Sequence, residues 1–473
     1  SMQSGSTLTL NRRNALSIAG NTTLSGITLD VSNISLLAGR RLTLATAEGS
    51  SQEQNLGSIT INGAEGATLE WIGNQLVLTG GGSAAADLYT RAATTGNART
   101  GGLIADAIYN RLDPQYNAPD SQLAALLDAL DADLLSGNTG ALNSKLSSLS
   151  GSAAAGLGLA LADDMQRQLS AIRNRMSSMG VSDQYINPDM PYFNAWVNAE
   201  GNYRELNGHG SLPGYTLSSW GGTLGADADI SPSLTCGLAF TAMYGDYSSD
   251  DEGSADGDLN TWYLTAFARY SPSAWTHNFI ASFGLADSSL KRHIALGETT
   301  CGTDGSANGL GIGFMYEVGY TIPLDEDATT CLQPILNASY AYTALDAYTE
   351  HGSELALRYG DQKLHRFTLG AGLRAQTLIG ENIYNRSSLL EGRLLAKFDL
   401  GDRHSSLSSS LAMLPGSGGR IRSAEYGVCG VEAGVGLSVP LGRSSGNLFI
   451  DGSVELRADY HNLNATVGWR INF

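Results

Sequence analysis

From Tyr192 to the C-terminus the chain alternates apolar and polar residues with a period of two, and its charges keep to one side of that alternation. Between 308 and 324, Leu310, Ile312, Phe314, Tyr316, Val318, Tyr320 and Ile322 fall on one face, with Gly311, Gly313, Met315, Glu317 and Gly319 on the other. Between 387 and 400, Leu390, Leu394, Ala396, Phe398 and Leu400 oppose Glu391, Arg393, Lys397 and Asp399. Leu448, Ile450, Val454 and Leu456 likewise oppose Asp451, Ser453, Glu455 and Arg457. The closing NATVGWRINF sets Ala465, Val467, Trp469, Ile471 and Phe473 against Asn464, Thr466, Gly468, Arg470 and Asn472. Side chains of a strand point alternately to its two faces, so these are strands with one oily and one polar side. Taken singly, each also suits the edge of a soluble sandwich.

The set as a whole is more restrictive. Twelve strands are expected near 192–204, 215–230, 234–247, 258–270, 275–291, 308–324, 331–346, 364–379, 387–400, 422–440, 447–459 and 462–473. Their connections alternate between long, as in DYSSDDEGSADGD, 292–307, 347–363 and 401–421, and short, as in SPS, SPSA, DEDATT, GENIYN and LGRSSG. Only the last hairpin, near Tyr460 to Asn462, is short where a long one is due. Long loops at one end and tight turns at the other are the pattern of a transmembrane β-barrel, which a sandwich has no reason to adopt. A Lys or Arg facing lipid at the midplane costs about 2–4 kcal/mol. Arg393, Lys397, Arg457 and Arg470 should therefore point into the lumen, together with Glu317 and Glu455. Trp196, Trp220, Trp262, Trp275 and Trp469 are expected near strand ends as interfacial girdles.

Composition agrees. No window of 18 apolar residues exists, so a spanning helix is excluded and a spanning chain must close as a barrel. Charged residues make up 16%, with 58 Gly and only 11 Pro, unlike an ordinary cytosolic enzyme. A net charge of -18 argues against nucleic acid as a partner. Cys236, Cys301, Cys331 and Cys429 form no CxxC pair, so neither a disulfide framework nor a zinc site is expected. With no basic-plus-apolar segment at Ser1 and Met2, the chain reads as cut from a longer one.

Two further regions precede the alternating one. Residues 1 to about 80 carry short Thr-, Ser-, Asn- and Gly-rich strands such as STLTL, TLSGITLDV, RLTLATA and NQLVLTG, each too short to fold alone. Stacked coils of a β-solenoid would bury them jointly, and a small β-sandwich is the alternative. From Asp87 to Gly180 the period is helical. DSQLAALLDALDADLL places Leu123, Leu126, Leu127, Leu130 and Leu134 on one face, with Ser121 or Asp120 as the cap. A second helix, near 152–180, has a stripe of Leu157, Leu161, Met165, Leu169, Ile172, Met176 and Met179. Asp163, Asp164, Gln166, Arg167, Arg173, Asn174 and Arg175 lie opposite. At 1.5 Å per residue it would exceed the roughly 30 Å hydrocarbon thickness, so it can thread a barrel or serve as an exposed linker.

The stretch ALNSKLSSLSGSAAAGLGLALADDMQRQLSAIRNRM, with its Leu149-Ser150-Gly151, resembles the classical (type Va) autotransporters of Gram-negative bacteria. So do the barrel opening NAWVNAEGNYRELNGHGSLPGYTLSSWGGTLGADADI, the twelve strands and the terminal Phe473. The resemblance covers roughly residues 87–473, and residues 1–80 look like the last coils of a passenger β-helix. It implies a C-terminal barrel in the outer membrane whose passenger has crossed to the cell surface. A helix bearing Leu157, Asp163, Asp164, Arg167, Arg173, Asn174 and Arg175 would be left in the pore. Val467, Trp469, Ile471 and Phe473 would form the insertion-signal strand. Implied partners are outer-membrane lipid and lipopolysaccharide, the β-barrel assembly machinery, periplasmic chaperones and the chain's own passenger, the translocator itself being a monomer. Some members cut themselves at paired asparagines. Here Asn174 stands alone between two arginines, and self-cleavage is not expected.

The expected fold is all-β: a 12-stranded antiparallel transmembrane barrel (191–473) with an N-terminal pore helix in a helical linker (87–190), preceded by a β-solenoid end (1–86). Neither a G-x-S-x-G elbow, a Walker loop nor HExxH occurs, so no catalytic residue, cofactor or metal is assigned. A surface hydrolase using Asp and loop histidines such as His351 and His404 is the alternative. A passive porin is a third, which the helix before the first strand argues against.

Overall fold

The computed structural model of the chain describes residues 4–11, 16–19, 22–48, 54–56, 58–177, 193–210, 212–249, 255–296, 299–381, 386–441 and 446–472. Twelve long strands dominate it: β1 (Phe193–Leu206), β2 (Tyr215–Ser231), β3 (Leu234–Ser249), β4 (Ala255–Tyr270), β5 (Trp275–Leu296) and β6 (Thr299–Tyr320), then β7 (Thr330–Leu345), β8 (Gln362–Glu381), β9 (Ser387–Asp399), β10 (Cys429–Pro440), β11 (Asn447–Arg457) and β12 (Tyr460–Asn472). Each pairs antiparallel with its neighbours in sequence, and β1 pairs with β12 from Asn194↔Asn472 to Leu206↔Tyr460. That last pairing closes the sheet, so every barrel strand has two partners and no open edge faces lipid.

Burial alternates along the strands as the sequence pattern requires. Leu224, Phe240, Leu264, Phe283, Phe314, Leu373, Leu394, Val435, Ile450 and Val467 are exposed outward in a continuous belt. Such a belt would be an aggregation site in water and is the lipid-facing surface of a membrane barrel. Trp220, Trp275 and Trp469 also face outward, but Trp196 does not. It shares its parity with Asn194, Asn198 and Glu200 and is buried in the lumen, correcting the expectation that it belongs to a girdle.

Three expected boundaries also change. Residues 292–307, expected as a loop, continue β5 and β6 as one protruding hairpin, paired from Leu296↔Thr299 downward. Above Leu285 the phase of the alternation inverts: Leu290, Ile294 and Leu296 point inward while Lys291 and His293 point out. A pattern that is apolar outside in lipid and apolar inside above it reads as a loop when one phase is assumed. The loops 347–363 and 401–421 hold a small sheet of Tyr348–Thr349, Leu357–Tyr359, Ser406–Leu411 and Gly419–Arg422. That sheet takes residue 422, so β10 begins at Cys429.

The N-terminal segment is built from parallel pairings between successive passes of the chain. Thr7–Thr9, Ile27–Asp30 and Ile59–Asn62 stack, as do Leu16–Ala19 on Arg41–Glu48 and Thr22–Thr23 on Gln54–Asn55. Leu10, Leu29, Val31, Leu42, Leu44 and Leu78 fill its interior. A hairpin of Thr68–Ile72 and Gln75–Thr79 pairs antiparallel with Arg41–Glu48 and ends the stacking on that side.

Between these parts lie α1 (Leu88–Ala92), α2 (Gly96–Leu112), α3 (Pro114–Asn117), α4 (Gln122–Ser136), α5 (Thr139–Ser150) and α6 (Ala154–Ser177). Their ends are written in the sequence. Thr95, Ser121 and Asn138 accept from the backbone N–H three residues on, and Gly137 and Gly151 end α4 and α5 in the left-handed region. Residues 88–150, expected as a linker, fold as a compact helical cap. Its leucines share a single core with Leu290, Ile294, Leu355, Leu357, Leu407, Leu411 and Ile421 of the barrel's long-loop end.

Candidate functional site: the helix in the pore

Helix α6 enters at the long-loop end and runs down the lumen. Its 24 residues span about 36 Å at 1.5 Å per residue, enough to cross the hydrocarbon layer. Residues Met179 and Gly180 of the expected helix lie outside the described residues.

The turn into α6 explains Leu149-Ser150-Gly151. Leu149 is buried in the cap core, and the Ser150 carbonyl accepts from Ser409 Oγ at 2.7 Å. Gly151 has φ +71°, and a Cβ there would lie 2.1 Å from the Tyr359 hydroxyl, so both backbone and space demand glycine. Leu157 sits just below, in the same core.

Lower down, α6 meets two unlike walls. Toward β5–β7 the contact is mainly close apolar packing, with Ser339 of β7 donating to Gln166 at 2.9 Å. A Cβ on Gly311 would come within 2.7 Å of Met165 Cε, and one on Gly313 within 2.7 Å of Met165 Sδ and 3.1 Å of Leu169 Cδ1. The lumen-facing glycines of β6 thus lie against the Met165 side of the helix. Gln168 donates to Thr241 and Thr265 at 3.0 and 3.1 Å.

Toward β1, β2, β4 and β8–β12 the contact is ionic and hydrogen-bonded. Asp163 pairs with Arg366 and accepts from Tyr215. Asp164 accepts from Arg204 at 2.5 Å, Thr261 and Tyr263 at 2.8 Å and Arg167 at 3.0 Å. Arg167 also reaches Glu200 at 2.7 Å. Near the other end, Arg173 pairs with Glu432, Asn174 donates to Asp451 at 3.4 Å, and Arg175 lies over Trp196 and Phe449. The Met176 carbonyl accepts from Arg269 at 2.6 Å.

Glu317, Arg393, Lys397, Glu455, Arg457 and Arg470 all lie inside the barrel. Arg393 binds Asp451 at 2.6 Å, Lys397 bridges Glu432 and Glu455 at 2.6 and 2.7 Å, and Arg374 reaches Glu317 at 2.9 Å. Glu200, Arg204, Arg366, Arg374 and Glu432 escaped the sequence reading. Each nonetheless sits on the polar parity of its strand, which was the available signal. Val467 and Trp469 face outward on β12, Ile471 is half-buried, and Phe473 lies outside the described residues.

Outside the membrane, burial pushes the Glu350 carboxyl up, but Arg292 beside it and hydrogen bonds from Leu357 and Tyr359 outweigh this and hold it below the usual range. Arg292 grips Glu350 at 3.0 and 2.6 Å and donates to the Ser148 carbonyl of α5 at 3.1 Å. His209 and His404 stand 3.7 and 3.8 Å from the carboxylates of Asp459 and Glu425, and His461 stands 3.2 Å from Glu205. Among the described residues no cluster of His, Cys, Asp and Glu suits a metal.

A family model, the autotransporter beta-domain, matches residues 195–453, more than half of the chain. The chain belongs to the autotransporter β-domain family. Among solved structures it is similar to the translocator domain of the autotransporter NalP from Neisseria meningitidis, at 17% identity and a TM-score of 0.50, covering 66% of this chain and 98% of that one. The beta domain of the Bordetella autotransporter BrkA matches at 16% identity and TM-score 0.43, over 59% and 99% of the two chains. The transport unit of AIDA-I from Escherichia coli matches at 9% and 0.42, over 67% and 99%. At this identity the likeness to NalP speaks for the fold alone. A search of curated proteins by sequence gave no match. The autotransporter barrel resides in the outer membrane, and its function is to bring its own passenger to the cell surface.

Proposed function

We propose that this chain is an autotransporter translocator after export, with α6 left in the pore and residues 1–86 forming the stem of a surface passenger. The reading divides the chain into that stem, a helical region at 87–190 and the barrel at 191–473. What carries it is the threading of α6 through the lumen, tied at mid-depth by Asp164 to Arg204, Thr261 and Tyr263 and near its end by Arg173 to Glu432. In this reading Leu157 fixes the top of the helix, and Asp163, Asp164, Arg167, Arg173, Asn174 and Arg175 hold it to the wall. Glu317, Arg393, Lys397, Glu455, Arg457 and Arg470 give the lumen its balanced charge. Val467, Trp469, Ile471 and Phe473 form the strand read by the barrel assembly machinery, after periplasmic chaperones have kept the chain unfolded. The outward belt contacts outer-membrane lipid and lipopolysaccharide. The barrel performs no catalysis. Asn174 lies within continuous helix, its carbonyl Oδ1 occupied by Arg173 at 2.9 Å, which supports a passenger not released by self-cutting there.

The test is expression with an N-terminal epitope tag in Gram-negative cells, with surface labelling and boiled against unboiled gel migration. A labelled tag and a fast-migrating unboiled form are expected. A chain that folds in buffer without detergent and shows no shift on boiling would overturn the reading.

A further inference from the structure

We propose that the outer face of the small sheet above β8 and β9 binds the phosphates of lipopolysaccharide in the surrounding leaflet. This rests on the translocator reading above, which sets that face among those headgroups. Among the described residues from 193 to 472, the exposed lysines and arginines are Lys291, Arg358, Lys363, Arg420 and Arg422. The others described there are buried or half-buried. All but Lys291 stand together on the flank of β8 and β9.

The register of the small sheet makes this grouping. Strand Ser406–Leu411 runs between Leu357–Tyr359 and Gly419–Arg422, pairing Ser410 with Arg358, Ser408 with Arg420 and Ser406 with Arg422. Directly paired residues share a face, so three arginines and three serines point the same way. Leu357, Leu407, Leu411 and Ile421 take the opposite face and are buried in the core shared with the cap, which holds the polar face outward. Arg358 and Arg420 stand two strand spacings, about 10 Å, apart across the sheet, a gap that two arginine side chains can close on one phosphate. Their charge is available. Among the described residues neither meets a carboxylate, and Arg420 donates to Ser406 Oγ at 2.8 Å. Arg422 is held by Glu425 at 2.8 Å and Lys363 by Asp361. Guanidinium forks beside serine hydroxyls are the donors that phosphate oxygens take.

The height of the face suits that ligand. Phe367 and Leu400 are exposed at the top of the lipid-facing belt. The Leu400 N–H donates to the Phe367 carbonyl and the Gly360 N–H to the Ser408 carbonyl, so the barrel ladder continues from the belt into the sheet. Ser406 follows Leu400 by six residues. At about 3.3 Å per residue the face begins within roughly 20 Å of the hydrocarbon, and strand tilt lowers it further. A lipopolysaccharide headgroup, a phosphorylated oligosaccharide, reaches it there. The flank of β3–β6 has the opposite sign. Asp246, Asp256, Asp258, Asp287 and Asp304 are exposed around Lys291, and Asp246 is paired directly with Asp258. An anionic headgroup is repelled by that flank and drawn to the arginines.

The test titrates rough lipopolysaccharide with a phosphorylated core into the full chain refolded in detergent, with bound molecules counted by native mass spectrometry. Arg358→Gln with Arg420→Gln is expected to weaken binding at least roughly tenfold. Removing the phosphates from the lipopolysaccharide should weaken the parent by a similar factor and leave the double variant unchanged. Lys291→Gln, on the other flank, should change binding less than about twofold. Equal binding by the parent and the double variant, or an equal loss in Lys291→Gln, overturns the proposal. So does displacement by inorganic phosphate at the same concentration, which would make the face a site for the free ion. If gel migration shows that the double variant does not fold, Arg420→Gln alone takes its place, with a loss of roughly threefold expected and none overturning the site. Labelling of an N-terminal tag on cells separates the two readings. A labelled tag with binding that ignores the arginines sinks this site alone, and an unlabelled tag on the parent chain sinks the translocator.

Discussion

Replacing Asp164 by alanine should free the pore helix without melting the barrel. Four side chains donate to this one carboxylate: Arg204 at 2.5 Å, Thr261 and Tyr263 at 2.8 Å, and Arg167 at 3.0 Å. Breaking a buried ion pair by removing one partner costs about 3–5 kcal/mol, because the other charge stays buried. Both arginines keep a second acceptor here, Arg167 on Glu200 at 2.7 Å and Arg204 on Asn202 at 2.5 Å. The lower end therefore applies, about 3 kcal/mol. At 1.36 kcal/mol for each factor of ten, amide exchange along α6 should quicken roughly 150-fold. Hydrogen exchange read by mass spectrometry on the refolded chain resolves this, with α2 and α4 as internal references because local opening leaves their protection intact. Arg204→Ala in the same background should cost less than the two single changes added together, by about 1–2 kcal/mol. A rise below threefold in α6, or an equal rise in α2 and α4, would refute the tie at mid-depth.

Three other outcomes follow from the same geometry. Gly313→Val forces a side chain onto Met165 and should destabilise the plugged barrel by about 1–3 kcal/mol, with Met165→Ala restoring much of the loss in the thermal midpoint of heat-modifiability. Leu394→Arg, on the lipid face, should cost about 2–4 kcal/mol in refolding titrations into lipid vesicles, whereas Ser453→Lys, on the lumen face one strand group away, should cost well under half of that. Glu350 titrates below its ordinary 4.5, so its contribution to the cap is fully present above that pH and is lost as the pH falls through its folded value. Amide exchange of the cap, corrected for the pH dependence of the intrinsic rate, should therefore show the same protection at pH 7 and pH 5 and a loss of protection as the pH falls below the ordinary value, and Glu350→Gln should flatten the profile.

The barrel was legible because one rule, apolar out and charge in, governs Glu317, Arg393, Arg457 and Trp469 alike. The same rule would have assigned Trp196 to the lumen, since Asn194 and Asn198 flank it at the same parity, had residue type not been given more weight than phase. Where the surroundings change, the rule changes sign. Leu290, Ile294 and Leu296 turn inward to the cap because water, not lipid, lies outside them, and a reading that assumed lipid found a loop. The partners of the pore helix were half visible. Asp163, Asp164 and Arg167 stood out as charges on an otherwise apolar helix, while Arg204 and Arg366 lie 37 and 199 residues further on than Arg167 and become neighbours only when the barrel closes. Arg40 was invisible for the same reason. It is buried against the ring of Tyr109 at 3.3 Å and donates to Tyr89 at 2.8 Å, contacts that require the N-terminal segment to dock on the cap.

The two walls around α6 divide the work of holding a helix inside the barrel. Glycines 309, 311 and 313 on β6 let Leu161, Met165 and Leu169 approach the backbone, giving dispersion contact that needs only shape. Such contact is short-ranged and does not by itself choose one rotation of the helix over another. The ionic wall supplies that choice. Asp163 faces Arg366 while Asp164, the next residue and about 100° further round, faces Arg204, so a turn of the helix by one residue would bring each aspartate away from its arginine. A helix with the glycine wall alone would slide, and one with charges alone would leave the β5–β7 side open to water. Restoring charge in reverse, with Asp164→Arg and Arg204→Asp, should therefore keep the helix seated, whereas Asp164→Arg by itself should expel it. Amide exchange along α6 distinguishes the two, and equal protection in both variants would mean that packing against the glycines fixes the register without help from the charges.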